Sequence, residues 1–533
     1  MEQLKWGTPE DLRVLLIELV GWKSVTLTEG ESEFPVMVHE KLKHLPYFQE
    51  NTQYLKLHEV DSNRSFLTAL YKYPGIKQTI VLMSHFDTVG IEEYGDLEPY
   101  AYQPNELTEL LKERIAEFPE DIATDILSGD YLFGRGTMDM KMGLAMHMGL
   151  LEKATSEKWP INIMLLSVPD EEVNSAGMRE AVRKLVQMKE EYELEYKLFV
   201  NGEPVFSQEP GDESFYVYSG SIGKIMPSAL FYGKETHVGE PLAGITANYI
   251  ASFLTQRMEW NSQFQESVMG EATPLPVTLQ QKDLKMEYSV QTPYRAAALY
   301  NVFLMERTAA DIMDIFEMIA KEAAYECNQA YQNICKRQGS EPIGEVQVIR
   351  YQFLEKYAIE KHGLTFVSNI KQQIEKDSTL DEREKCIRVA DSLLIQCQEL
   401  APAIVLLFTP PYYPAVCSST DQLVTNCIRY LKAQGKETFE LPITQIHFFN
   451  GISDLSYVNY QDDKEGWTTF TSNTPTSKNY QIPFDDMKQL NAPVLNLGPF
   501  GRDAHKRTER LHIKNAFVEV PKLLEGMIKM LIR

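Results

Sequence analysis

The chain is poor in cysteine, and its few cysteines are badly spaced for a structural role. Six occur in 533 residues, Cys327, Cys335, Cys386, Cys397, Cys417 and Cys427, all in the second half and none as a Cys-x-x-Cys pair. That spacing argues against a cysteine-ligated zinc site, and it fits the reduced thiols of a cytoplasmic protein better than a disulfide framework. No run of about 18 apolar residues occurs, so no membrane span is expected. The start, MEQLKWGTPEDLRVLLIELVGW, lacks a basic stretch followed by an apolar core, so it does not read as a secretory leader. Basic charge is in the minority, with 52 Lys and Arg against 76 Asp and Glu and a net charge of −24. Such a field repels polyanions, so neither nucleic acid nor an anionic membrane is an expected partner. Internal repeats and low-complexity segments are absent as well.

Apolar residues are plentiful: they make up 44% of the chain, with 27 Tyr and 24 Phe among the residues. That is the composition of a folded globular protein. The length exceeds what one ordinary core can hold, so two or more domains are expected.

Thr8-Pro9-Glu10 opens a helix to about Trp22, with Thr8 as its cap. Residues 53–60 and 65–72 pair as strands around Asp61-Ser62-Asn63. The run Ile80–Met83 has no polar alternation, as expected of a strand buried on both faces, and it ends in His85 and Asp87. An acidic, irregular excursion fills 90–130, with a helix near 105–117. The glycine-rich GRGTMDMKMG, 134–143, follows and leads into a helix. A second buried strand, 161–168, delivers Glu171-Glu172, and a third, YKLFVNGEP, delivers Glu203. Three buried strands alternate with helices, which predicts parallel neighbours in one α/β sheet with the site at their carboxyl ends.

After about 214 the pattern becomes alternating and glycine-bearing. A helix near 244–258, a strand at 297–306, a long helix at 308–337, a strand EVQVIRYQF and a strand AIVLLFTPPYYPAV predict an inserted α+β domain. The expected division is 1–214 and 417–533 for a catalytic domain, with 215–416 inserted as a lid.

The candidate metal ligands are His85, Asp139, Glu172, Glu203 and His505. Two imidazoles and three carboxylates without thiolate suit zinc, cobalt or manganese. Five side chains cannot complete two four-coordinate sites unless one is shared, and Asp139 is the proposed bridge. Two ions about 3.5–4 Å apart can share a water and polarise a carbonyl. Glu171, beside a ligand, is placed to take the water's proton and pass it to a leaving amine. Taken singly, each residue also has a plain structural reading: a strand-end histidine, an acidic helix start, a turn before Pro204, a surface histidine beside Lys506 and Arg507.

Together, SHFDTV, GRGTMDMKMGLA, PDEEVNSAG, NGEP, GKETHVGEPLAG and DAHKRTER resemble the dinuclear zinc exopeptidase and deacylase family. That family includes acetylornithine deacetylase, succinyl-diaminopimelate desuccinylase, aminoacylase and carboxypeptidases. The resemblance implies an α/β/α catalytic domain with an inserted, enlarged ferredoxin-like α+β lid and dimerisation domain. It implies His85, Asp139 and Glu203 around one ion, and Asp139, Glu172 and His505 around the other. Glu171 would be the general acid/base, Asp87 would orient His85, and the Asp139–Met140 bond would be cis. His237 matches a lid histidine that steadies the oxyanion, from the partner subunit in dimeric members. Asp454 in GISDLSY and Glu509 match positions near the site. The implied activity is metal-dependent hydrolysis of an amide bond in a small peptide or N-acyl amino acid. VQTPYRAAALYNVFLMERTA and APAIVLLFTPPYYPAV resemble the arginine-utilisation branch, which implies a cytoplasmic bacterial protein of arginine breakdown. The same branch leaves open a catalytically inactive binding protein on this fold. The sequence departs from the family at the lid: Asn248 in GITAN is displaced from the usual asparagine, Arg307 matches the lid arginine only loosely, and the insertion is nearly twice the usual length.

Overall fold

Thr8 closes the first helix as expected. Its Oγ1 accepts from Asp11 N at 3.2 Å while Asp11 Oδ2 accepts from Thr8 N at 3.1 Å, a reciprocal cap on Pro9–Gly21. The computed structural model describes residues 4–208, 212, 214–285, 287–462, 464–476 and 480–532. It divides into two units, one of Met1–Ser221, Val416–Tyr460 and Pro483–Arg533, the other of Ile222–Ala415 and Gln461–Ile482.

The first unit is built on an eight-stranded sheet. Its strand order is Leu55–Glu59, Ser65–Tyr71, Asn162–Val168, Gln78–His85, Glu195–Asn201, Val494–Asn496, Phe215–Tyr218, Ile443–Ile446. The first three strands are joined by antiparallel pairings. From Asn162–Val168 through Gln78–His85 and Glu195–Asn201 to Val494–Asn496 the pairing is parallel. The three buried strands read from the sequence are therefore adjacent and parallel. Ile80, Leu82, Ile163, Leu165, Leu198 and Val200 alternate to one face, where helices Pro9–Gly21, Glu29–Lys43, Met142–Glu157 and Val520–Ile532 cover them. Helix Ala176–Glu191 packs on Ser65–Tyr71 and Asn162–Val168.

The second unit carries a five-stranded sheet in the order Val277–Asp283, Arg295–Leu304, Gly223–Tyr232, Ala403–Tyr413, Gln347–Arg350. Its pairings are antiparallel except the last. Ala403–Tyr413 is buried along its whole length. The stretch EVQVIRYQF is only partly strand: Gln347–Arg350 is extended, and Tyr351 already opens helix Tyr351–His362, burying Tyr351 and Leu354. The segment expected to run without a break from 417 to 533 also divides. Gln461–Ile482 packs with the second unit, because Phe470 stacks on Phe408 at 5.6 Å and lies 4.6 Å from the Tyr412 ring. Among the described residues no helix is long and apolar enough to cross a membrane.

Candidate metal centre

Parallel strands in register bring their carboxyl ends to one edge of the sheet. His85 is the last residue of its strand and is 2% exposed. Glu171-Glu172 follow the end of Asn162–Val168, after a turn at Asp170 with φ of 69°. Glu203 follows Glu195–Asn201 after one glycine. Asp139 comes from the bend Thr137–Lys141 that leads into helix Met142–Glu157. His505 lies in the turn between the short strands Gly501–Arg502 and Arg510–His512.

These five elements converge. Asp139 lies between the two histidines, with Oδ1 3.2 Å from His85 Nε2 and Oδ2 3.1 Å from His505 Nε2. Glu172 Oε1 is 3.2 Å from His505 Nε2, and Glu203 Oε1 is 3.5 Å from His85 Nε2. Glu171 Oε2 is 3.9 Å from the same His85 nitrogen. His85, Asp139 and Glu172 offer ligand atoms within 4.8 Å of one another, and so do His85, Glu171 and Glu203. Glu171 thus reaches the same space as the ligand candidates on either side of it.

Asp87 sits under this cluster, fully buried. Its carboxylate accepts from Thr26 Oγ1 at 2.9 Å and from the main-chain N–H groups of Glu171 and Glu172 at 3.2 and 3.3 Å. Toward His85 the nearer acceptor is the Asp87 carbonyl, 3.0 Å from Nδ1, while the carboxylate stands 3.5 Å away. The Asp139–Met140 peptide bond is cis. Met140 Sδ accepts from His85 N at 3.2 Å. Glu509, fully buried, accepts from Met138 N and Asp139 N at 3.4 and 3.5 Å and pairs with Arg135 Nη1 at 2.6 Å. The glycines Gly143 and Gly202 let the helix start touch the Glu203 loop: a Cβ on Gly143 would lie 2.4 Å from the Gly202 carbonyl oxygen.

Several contributors were missed in the sequence. Arg64 Nη1 lies 2.8 Å from Asp170 Oδ1 and thereby steadies the turn that delivers Glu171-Glu172. Asn496 Nδ2 donates to the Glu203 carbonyl at 3.0 Å. Asp170 and Arg135 stand inside the motifs PDEE and GRG, so their position was a usable signal. Arg64 and Asn496 stand in no motif and gave none.

The charges explain one another. Burial alone would lower His85, but Glu203, Asp139, Asp87 and Glu171 hold it well above its usual value. Hydrogen bonds to Asp139 and Glu172 raise His505 to about 11. Burial would raise Asp139, yet His505 and His85 outweigh it and keep the carboxyl low. Glu171 and Glu203 are pushed well up by burial and then by neighbouring carboxylates, Asp454 among them. Glu172 is raised by burial as well. The cluster holds more buried carboxylates than its two histidines balance. Divalent cations fit such a donor set, with imidazole nitrogen and carboxylate oxygen and no sulfur.

Asp454 belongs to the same unit and is itself buried, which pushes its carboxyl to about 7. His237 belongs to the other unit, where it is exposed and its Nδ1 accepts from Gly239 N at 3.0 Å.

The model of peptidase family M20/M25/M40 matches residues 81–461. The YqjN protein of Bacillus subtilis (strain 168) is 39% identical over 99% of this chain and 98% of its own. Protein RocB of the same organism is 31% identical over 97% of this chain and 94% of its own. Among solved structures, an M20 family metallo-carboxypeptidase from Sulfolobus solfataricus superposes with a TM-score of 0.55 at 10% identity, covering 97% of this chain and 98% of that one. Aminopeptidase PepT from Bacillus cereus gives a TM-score of 0.53 at 13% identity, covering 99% and 100%. Those two likenesses concern the fold, and the family follows from the match over most of the chain: this protein belongs to peptidase family M20/M25/M40, and with it to the hydrolytic metallopeptidases.

Proposed function

We propose that the chain hydrolyses the amide bond of a small peptide or N-acyl amino acid at a centre of two divalent metal ions. The observation that carries this reading is Asp139, whose two oxygens lie 3.2 and 3.1 Å from one histidine each. A carboxylate so shared is suited to bridge. His85, Asp139 and Glu203 would hold one ion, and Asp139, Glu172 and His505 the other. When bound, the ions would supply Lewis-acid polarisation of the scissile carbonyl and a water of lowered pKa. Glu171, reaching the same space, accepts the water's proton on its carboxylate and returns it to the leaving amine. Asp87 holds the Glu171-Glu172 main chain and the His85 ring in place. His237 is proposed to steady the developing oxyanion, in a homodimer formed through the inserted domain. Zinc is the favoured metal, with cobalt or manganese as substitutes.

Similarity to protein RocB, together with the arginine-utilisation motifs, supports a substrate from arginine catabolism. Six free thiols support a reducing, cytoplasmic setting. The test is a screen of dipeptides and N-acyl amino acids, arginine and ornithine derivatives included, on zinc-, cobalt- and manganese-loaded protein. Turnover of an arginine- or ornithine-bearing amide is the expected result, and Glu171→Ala should keep its metal while losing about 10²–10⁴-fold in turnover. Inactivity on every compound with both ions bound would favour a binding protein over a hydrolase.

A further inference from the structure

The two histidines of the centre are held differently. His85 Nδ1 has the Asp87 carbonyl 3.0 Å away. Among the described residues the His505 ring meets only Asp139 and Glu172, both through Nε2. The His505 side chain is 48% exposed, so the ring's orientation depends strongly on the backbone that carries it. That backbone is unusual, because Asp503 and His505 have φ of 58° and 64°, a region that residues other than glycine seldom adopt.

A lattice of charges fixes this turn. Asp503 Oδ1 accepts from Lys506 Nζ and Oδ2 from Thr508 Oγ1, both at 2.9 Å, and Oδ2 also pairs with Arg510 Nη1. Arg510, 1% exposed, turns its Nε to Asp125 Oδ2 at 2.7 Å. Arg502 Nη1 donates to the same Asp125 oxygen at 2.9 Å. One carboxylate thus ties the two strands that flank the His505 turn. Asp125 lies on helix Glu120–Ser128, inside the acidic excursion 90–130. The excursion grips Asp139 too. Gly90 O accepts from Arg135 Nε at 3.2 Å, Glu93 pairs with the Arg135 guanidinium, and Ala101 O accepts from Arg135 N at 2.9 Å. Arg135 in turn holds Glu509, which receives the Asp139 amide.

We infer that Asp125, on the excursion 90–130, is the positioning residue that orients His505 and so frames one metal position. The inference rests on the proposed two-metal reading. Removing Asp125 takes from Arg502 its carboxylate partner and from the buried Arg510 one of two, leaving that turn to Asp503 alone. The effect should fall on the ion that His505 holds and spare the ion that His85 and Glu203 hold.

The test is calorimetric titration of zinc into the chelator-stripped full chain, repeated with cobalt by its visible absorption. His505→Ala identifies the ion concerned by its loss. Asp125→Ala is expected to weaken that same ion by about 10–100-fold, with the other unchanged. Asp125→Asn, which keeps an acceptor oxygen, should lose less. Arg502→Ala acts on a partly exposed side chain and repeats the test should Asp125→Ala fail to fold. Equal weakening of both ions, or of neither, overturns the inference. If His505→Ala alters no ion, the two-metal reading itself fails and takes this inference with it.

Discussion

Buried charge is present in both units but means different things in each. In the second unit several buried charges are met by a partner. Glu266 accepts from the amides of Met305, Glu306 and Arg307 at 2.9–3.0 Å, Asp391 pairs with Arg295 at 2.7 Å, and Lys385 pairs with Glu382 at 2.8 Å. In the first unit, Glu171, Glu172, Glu203 and Asp139 crowd around two histidines, and three of the four are driven upward in pKa. Buried charges that satisfy one another belong to the architecture. Like charges that face one another suit a bound cation, and on the proposed reading that separates a scaffold from a reaction centre.

The strongest attempt to break this contrast is Asp139→Ala. It should cost both ions at once and lower turnover toward the top of the about 10²–10⁴-fold range of a positioned group, read as metal content and rate. A variant that kept both ions would refute the bridge. Next is Phe408→Ala in the second unit, a fully buried ring in strand Ala403–Tyr413. It should lower unfolding stability by about 3–5 kcal/mol while leaving zinc stoichiometry unchanged below its transition. Loss of metal there would show that the two regions are not separable.

A smaller, pH-dependent effect sharpens the contrast inside the first unit. Burial lowers His147 from 6.5 to about 3. The unfolded chain therefore takes up the proton first. This contribution to stability is complete above pH 6.5 and is lost as pH falls toward 3, by at most about 1.4 kcal/mol per unit. His147→Leu should flatten that acid limb in denaturation midpoints measured against pH. The smallest effect is expected at Arg257, whose pairs with Glu322 and Glu326 lie on the surface of the second unit. Arg257→Ala should change stability by about 1 kcal/mol or less, and a larger loss would mean that this face is more than solvated surface.

The sequence was most legible where one physical cause dominated. Buried strands without polar alternation announced the parallel core, and the residues just after them announced the convergence of His85, Glu171-Glu172 and Glu203. The break at Arg350 was hidden because QVIRY suits a strand as well as a helix start, and tertiary burial of Tyr351 and Leu354 decided it. Gln461–Ile482 left its expected domain through aromatic stacking on strand Ala403–Tyr413, a contact distant in sequence. The excursion 90–130 was opaque for the same reason. Its work is done by Glu93 and Asp125, whose partners, Arg135, Arg502 and Arg510, stand in other segments.

Strand Val494–Asn496 lies beside Glu195–Asn201 in the middle of the main sheet, and this governs the order in which the protein can be completed during synthesis. Once the residues up to Ser221 have been made, four of the expected ligands and the expected base are already in the chain. The inner edge of Glu195–Asn201 is still bare, and it stays bare while the whole second unit is made. That edge is closed by Val494–Asn496, and His505 follows close behind it in the chain. A chain ending before 494 therefore exposes an apolar parallel edge open to aggregation and lacks His505, so on the proposed two-metal reading it would not hold both ions.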